Sequence, residues 1–424
     1  MKQFFKVTIL SGILTLIRMC LGFIVGKIVA IYTGPAGIAM LGQLQSVIGI
    51  INGIATAPVG SGIVRYTSEH HLSGFDSCAP WWRAALRISS IIYVIISLLL
   101  VINAGFLSKR IFLDEQYAWV IIIACGVIPF AVANTLIASV LNGQQLYRQY
   151  ISLCMMSVVI TTLILIALIV NFNLKGALLA TALNSAVAGI VLISFCIKKA
   201  WFNYKYWFGP VYKTHIINIL GYSFMGLVTA LSMPTAILLV RKLLINEVGW
   251  NSAGQWQAVW KISEVYLGVV TIALSTYFLP KLSILKDSKL IKKEVNSTSI
   301  YIIILTSCLA AIIYFCRDLS LNLLFTSEFK GARNLFLYQL LGDVIKIAGF
   351  IYAYPLIAQG RVKVFIISEI IFSFSFVVLA YILIQQFGVQ GANIAYLFNY
   401  LLYFIFAFTF TNFINVRFFY KNEE

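Results

Sequence analysis

Apolar residues run along this chain in long blocks, separated by short gaps that hold most of the charge. A hydrocarbon core of about 30 Å needs about 20 residues of helix to cross it. Twelve stretches meet that length: 7–32, 37–64, 82–104, 116–141, 150–171, 175–197, 214–240, 253–280, 297–316, 332–358, 362–384 and 390–416. The first, from Val7 to Tyr32, is too long for a signal-peptide core, and no small-residue cleavage site follows it. It reads as a span. The gaps are too short for an extramembrane domain, so the expected fold is all-α and polytopic.

Composition sharpens this picture. Hydrophobic residues make up 61% of the 424 positions and charged ones 11%, with a mean hydropathy of +0.94. Soluble domains carry about 25% charged residues, and one or two soluble cores cannot hide so large an apolar excess. Soluble enzymes, nucleic-acid modules and disordered scaffolds are excluded. The net charge of +17 would suggest nucleic acid in a soluble protein, but here the basic residues sit in gaps between spans, and no nucleic-acid partner is expected. Nineteen of the 31 Lys and Arg fall on the N-terminal side of the spans and eight on the other. Cytoplasmic loops carry such an excess, so both termini should be cytoplasmic and the number of spans even.

The two halves, 1–212 and 213–424, resemble one another. Gly42-Gln43-Leu44-Gln45-Ser46-Val47 returns as Gly254-Gln255-Trp256-Gln257-Ala258-Val259. Gly176-Ala177, Ala180 and Asn184 return as Gly391-Ala392, Ala395 and Asn399, while Asn142-Gly143 with Ile151-Ser152 is echoed by Gln359-Gly360 with Ile367-Ser368. Six spans per half give both halves the same topology. The expectation is two six-helix bundles related by a pseudo-two-fold axis around a central cavity, a transporter plan. Pro58, Pro129, Pro234 and Pro355 lie inside spans and would bend them.

Seven ionisable residues fall within spans: Arg18, Lys27, Lys261, Glu264, Asp343, Lys346 and Glu369. Facing lipid at mid-bilayer, each would cost about 2.5–3.5 kcal/mol, so each should face the cavity or a partner. Lys261 and Glu264 share a helix face, as do Asp343 and Lys346; each pair either neutralises itself or leaves cations for an anionic substrate. Arg18 has no acidic neighbour in its span. Lys27 lies on the opposite face of a straight helix; either Gly22 and Gly26 allow a distortion, or Lys27 snorkels outward. Arg241-Lys242 would end the seventh span as a phosphate contact or a plain anchor. Glu369 is either a coupling carboxylate or a packed neutral acid. Gln43, Gln45, Gln255, Trp256, Gln257 and Trp260 could contact sugar or simply pack. Trp81, Trp82, Trp201 and Trp207 suit interfacial belts, and His70-His71 a solvated loop. The seven cysteines form no CxxC pair, so buried free thiols are expected rather than disulfides or a metal site. No P-loop, HExxH, DDxxD or nucleophile elbow occurs, so neither ATP, nor a cofactor, nor a catalytic residue is expected.

Several of these residues carry a resemblance. They are Val25-Gly26-Lys27 with Gly34-Pro35-Ala36-Gly37, and Arg241-Lys242-Leu243-Leu244 followed by Gly254-Gln255-Trp256-Gln257. Ile262-Ser263-Glu264 with Tyr266-Leu267, Leu279-Pro280, and Gln339-Leu340-Leu341-Gly342-Asp343 ending in Lys346 complete the set. Over nearly its whole length the chain resembles the O-antigen and common-antigen lipid-linked oligosaccharide flippases of the multidrug/oligosaccharidyl-lipid/polysaccharide exporter superfamily. Glu264 departs from the pattern, where Asp is as common. The resemblance implies a V-shaped cavity opening alternately to each side of a Gram-negative inner membrane. It implies an undecaprenyl-pyrophosphate-linked oligosaccharide as substrate, and a polysaccharide polymerase and chain-length regulator as partners in the bilayer. It also implies that Arg18, Lys27, Lys261, Glu264, Asp343 and Lys346 are the cavity charges. A multidrug or cation antiporter of the same architecture would favour a net acidic interior. A membrane glycosyltransferase or polymerase would need a sizeable loop or loop carboxylates.

Overall fold

The computed structural model describes residues 2–285, 287–359 and 361–414. Lys286, Gly360, Arg417, Lys421 and the last two positions of the twelfth expected span lie outside the described residues. All regular structure described is helical: α1 (Lys2–Thr56), α2 (Ser61–His70), α3 (Phe75–Ile102), α4 (Ala104–Phe112), α5 (Ala118–Gly143), α6 (Tyr147–Cys196) and α7 (Tyr204–Trp207), then α8 (Lys213–Ala273), α9 (Leu279–Ile284), α10 (Ser288–Phe315), α11 (Arg317–Leu324), α12 (Phe336–Ala358), α13 (Val362–Phe387) and α14 (Val389–Thr409). Short 3-10 and π turns join several of them.

Among the described residues, nine helices are long and apolar enough to cross a membrane, against twelve expected stretches. The difference has a local cause. Three of the nine are about twice the usual length: Gly12–Ser73, Tyr147–Cys196 and Lys213–Ala273. Each contains a residue that leaves helical geometry: Gly34 (φ 60°, ψ −168°), Asn173 (φ 48°, ψ −128°) and Gly249 (φ 80°, ψ 169°). These breaks fall in the gaps between expected stretches. Positive φ suits Gly and is tolerated by Asn, and Pro35 directly after Gly34 can open a new helix, where its missing N–H costs nothing.

The chain divides into two compact units, Met1–Thr33 with Met40–Thr235, and Gly34–Ala39 with Ala236–Glu424. In the first, α6 packs along α5, and α2 packs on α3 and α5. Trp82 is fully buried there, stacked on Trp207 at 5.0 Å and donating to the Thr67 hydroxyl at 2.9 Å. Trp201 and Trp207 are buried with it. These three tryptophans are core, not an interfacial belt: three ring systems packed on one another hide more apolar area than scattered rings could. Trp81 stacks on Tyr66 at 4.9 Å and meets His70 at 4.4 Å, so His70 is packed rather than freely solvated. In the second unit α12 lies between α10 and α14, and α13 packs on α14.

Unusual backbone angles recur at the offset of the sequence matches. Gly34 and Gly249 share one unusual conformation 215 residues apart. Asn173 and Gly388 share another at the same separation, φ 48° and ψ −128° against φ 56° and ψ −136°. Directly after them, Gly176 lies so close to the carbonyl of Leu168 that a Cβ would stand 1.9 Å from its oxygen. At Gly391 the Leu383 oxygen would be 2.1 Å from one. All seven cysteines are free; Cys78, Cys125, Cys154 and Cys196 are buried, whereas Cys20, Cys308 and Cys316 are exposed on the protein surface.

Candidate functional site

Each unit gathers intramembrane polar residues, in contrasting ways. In the first unit Arg18 projects from α1 into a cleft of about 420 Å³ walled by α5 and both segments of α6. Its guanidinium lies beside the Tyr150 hydroxyl and the Cys154 thiol. Asn134 and Asn184 offer amides to the same space. Thr161 donates to the carbonyl of Ser157 at 2.5 Å and Thr162 to that of Val158 at 2.7 Å, so their protons are spent on their own helix. Their oxygens can still accept. Among the described residues, no carboxylate lines the cleft. Arg18, exposed, brings five N–H donors in a planar fork that fits a phosphate or carboxylate. Lys27 is half-buried and does not line this cleft.

In the second unit the two carboxylates Asp343 and Glu264 find their donors within the unit. Asp343 on α12 is fully buried. One carboxylate oxygen accepts from the Tyr266 hydroxyl at 2.8 Å; the other accepts from Tyr396 at 2.8 Å and the Gln339 amide at 3.2 Å. Lys346, one turn on, lies under four rings: Tyr400 at 5.1 Å, Tyr396 at 5.6 Å, Phe350 at 5.7 Å and Trp260 at 6.0 Å. Glu264 accepts from the Trp260 indole at 2.8 Å. Asp343, Glu264 and Glu369 all act electrostatically on Lys346.

The i,i+3 spacing therefore brought Lys261 near Glu264 and Asp343 near Lys346, but neither pair closes into an ion pair. Shared helical face permits a contact without requiring it. Two phenols already satisfy Asp343, and ring faces attract Lys346. Tyr266 entered the sequence reading only as part of the resemblance motif, and Tyr396 and Tyr400 did not enter it; their signal was the i,i+4 spacing on α14.

The remaining candidates mostly pack. Arg241 is buried, donates to the Gln257 side chain at 2.9 Å across the Gly249 break, and sits 5.9 Å over the Trp256 ring. Breaking such a buried charge away from its partners costs far more than losing a surface pair, so Arg241 holds the two segments of α8 in register. Lys242, next to it in sequence, and Lys261, twenty residues on, are half-buried. Trp256, Gln257 and Trp260 are buried, and so is Gln43; Gln45 is exposed. The side chain of half-buried Gln255 fills the space where a Cβ at Gly331 would stand.

No family model matches the chain. It is 27% identical over 407 residues to the lipid III flippases of Escherichia coli (strain K12) and Shigella flexneri, covering 94% of this chain and 96% of each relative. Its fold is similar to that of a multidrug-resistance transporter of the MATE family in the MOP superfamily, solved in an inward-facing conformation, with a TM-score of 0.75 at 16% identity over 95% of this chain and 98% of that one. A lipid II flippase in an inward closed conformation matches with a TM-score of 0.76, 16% identity, and coverage of 95% and 87%.

Proposed function

We propose, for a chain that belongs to the MOP superfamily of flippases and transporters, that its cargo is an undecaprenyl-pyrophosphate-linked oligosaccharide repeat unit. The protein is a multi-pass membrane transporter and not an enzyme. In this reading it carries the unit from the cytoplasmic to the periplasmic leaflet of a Gram-negative inner membrane by alternating access. Each broken helix counts as two crossings, giving twelve; the recurrence of the Gly34 and Asn173 breaks at Gly249 and Gly388 supports two repeated six-crossing halves, 1–212 and 213–424, with both termini cytoplasmic. O-antigen-type repeat units are the specific cargo proposed.

The observation that carries the reading is Arg18 in a cleft with no carboxylate among its described lining residues, within a chain aligned over 94% of its length with two lipid III flippases. The task suits it physically. A polyprenyl tail can stay in lipid, whereas pyrophosphate and sugar need cations and amides away from hydrocarbon. Arg18 supplies the charge, and Asn134 and Asn184 the amides. A cation antiporter would need a vacant acidic site, and the carboxylates of the second unit already surround Lys346. Deleting the protein, in a strain without a redundant flippase, should remove surface polysaccharide while repeat units accumulate on the cytoplasmic leaflet. Repeat units still reaching the periplasm, with only drug resistance lost, would replace this reading by the antiporter.

A further inference from the structure

The surroundings of Lys346 have the makeup of a receptor for an organic cation. Ring faces of Trp260, Phe350, Tyr396 and Tyr400 lie between 5.1 and 6.0 Å from the ammonium nitrogen. Ring quadrupoles attract cations at this range, more strongly once water is excluded, and aromatic cages of this kind recognise ammonium ligands. The carboxylates add field rather than contact. Asp343 is held by three donors and Glu264 by Trp260, and no ion pair joins either to Lys346. A cation so placed is bound as a ligand is bound, by a preformed shell whose members are fixed to one another: Tyr396 packs against Tyr400 at 4.8 Å and against Trp260 at 5.2 Å.

We propose that the second unit contains a binding site for a primary ammonium group whose resident ligand is the side chain of Lys346. The wild-type site is therefore closed to exogenous cations. Cutting Lys346 back to Ala removes three methylenes and the amine, leaving a space that matches propylammonium in length and charge. The binding argument is independent of the cargo; only the transport arm of the test rests on the flippase reading.

Purified full-length Lys346→Ala should melt below wild type, and millimolar propylammonium chloride should raise its melting temperature by several degrees, as expected when a ligand binds the folded state alone. Neutral n-propanol and sodium chloride should not. Wild type should not respond to propylammonium. Adding Glu369→Gln to Lys346→Ala should weaken the response, which a purely steric filling of the gap would not do. Where Lys346→Ala yields no folded protein, Lys346→Met, which keeps the length and drops the charge, reads the same question: a lower melting temperature supports the site, and wild-type melting overturns it. An absent propylammonium response in folded Lys346→Ala overturns the proposal, as does stabilisation of wild type by sodium or propylammonium that Glu369→Gln removes. Propylammonium that rescues stability but not repeat-unit export would instead count against the cargo assignment.

Discussion

Positions 215 residues apart, in register by the Asn173–Gly388 and Gly176–Gly391 matches, carry opposite kinds of side chain in the two units. Where the first unit has Ser157, Thr161 and Ala188 around an open cleft, the second has Phe372, Phe376 and Tyr403. Cys154 beside Arg18 corresponds to Glu369, and Asn184 to Asn399. Small and hydroxylated residues leave space, and that space holds a cation without a carboxylate. Large rings leave none, and the cation there is already surrounded. Phe372 meets Tyr403 at 5.1 Å, and Phe376 meets Tyr396 at 6.1 Å. Matched positions thus leave an open cleft in one unit and a filled aromatic cluster in the other; the proposed function makes the first the receiving site.

Exchanging residues between the two sites should break this difference most severely. Phe376→Thr removes a fully buried ring, and large-to-small changes of this kind cost about 3–5 kcal/mol; steady-state abundance should fall several-fold. Thr161→Phe should do the reverse. It fills the cleft, so abundance should stay near wild type while repeat-unit export falls at least tenfold. Quantitative blotting beside a surface-polysaccharide assay separates the two effects. Normal export by Thr161→Phe would show that the cleft is not used.

A smaller effect tests the shared plan itself. Gly176→Ala and Gly391→Ala each push a Cβ against a backbone carbonyl that cannot rotate away. Each should cost about 1–3 kcal/mol, the range for overpacking, and the two costs should be similar. Thermal unfolding of the purified variants measures both. If one substitution were silent and the other severe, the equivalence of the two segments would fail.

Much of the plan was legible from residue pattern. Apolar block length identified membrane helices, and the gaps it left at 33–36 and 172–174 hold the Gly34 and Asn173 breaks inside the continuous helical runs of α1 and α6. Arg18 stood out because an arginine amid apolar residues demands a reason. The second unit's site was less legible. Phe350, Tyr396 and Tyr400 look like ordinary apolar filler, and Trp260 read as a sugar contact or packing, until packing brings the four rings from three helices around one amine. The Asp343–Lys346 spacing suggested an ion pair because helical geometry allows one, whereas the donors that decide the matter come from α8 and α14. Arg241 read as either a phosphate contact or a helix-end anchor; its hydrogen bond to Gln257, sixteen residues away, crosses a break that spacing alone does not orient.

Under the proposed function, the first unit's cleft receives the anionic head of the cargo through Arg18. Export of repeat units by Arg18→Ala and Arg18→Lys, at matched protein abundance, tests it most directly. The cleft is open and acid-free, so Arg18→Ala strands no buried carboxylate there; abundance should hold while export is abolished. Arg18→Lys keeps the charge but loses the bidentate fork, and should export at an intermediate rate. Wild-type export by Arg18→Ala at normal abundance would contradict the account.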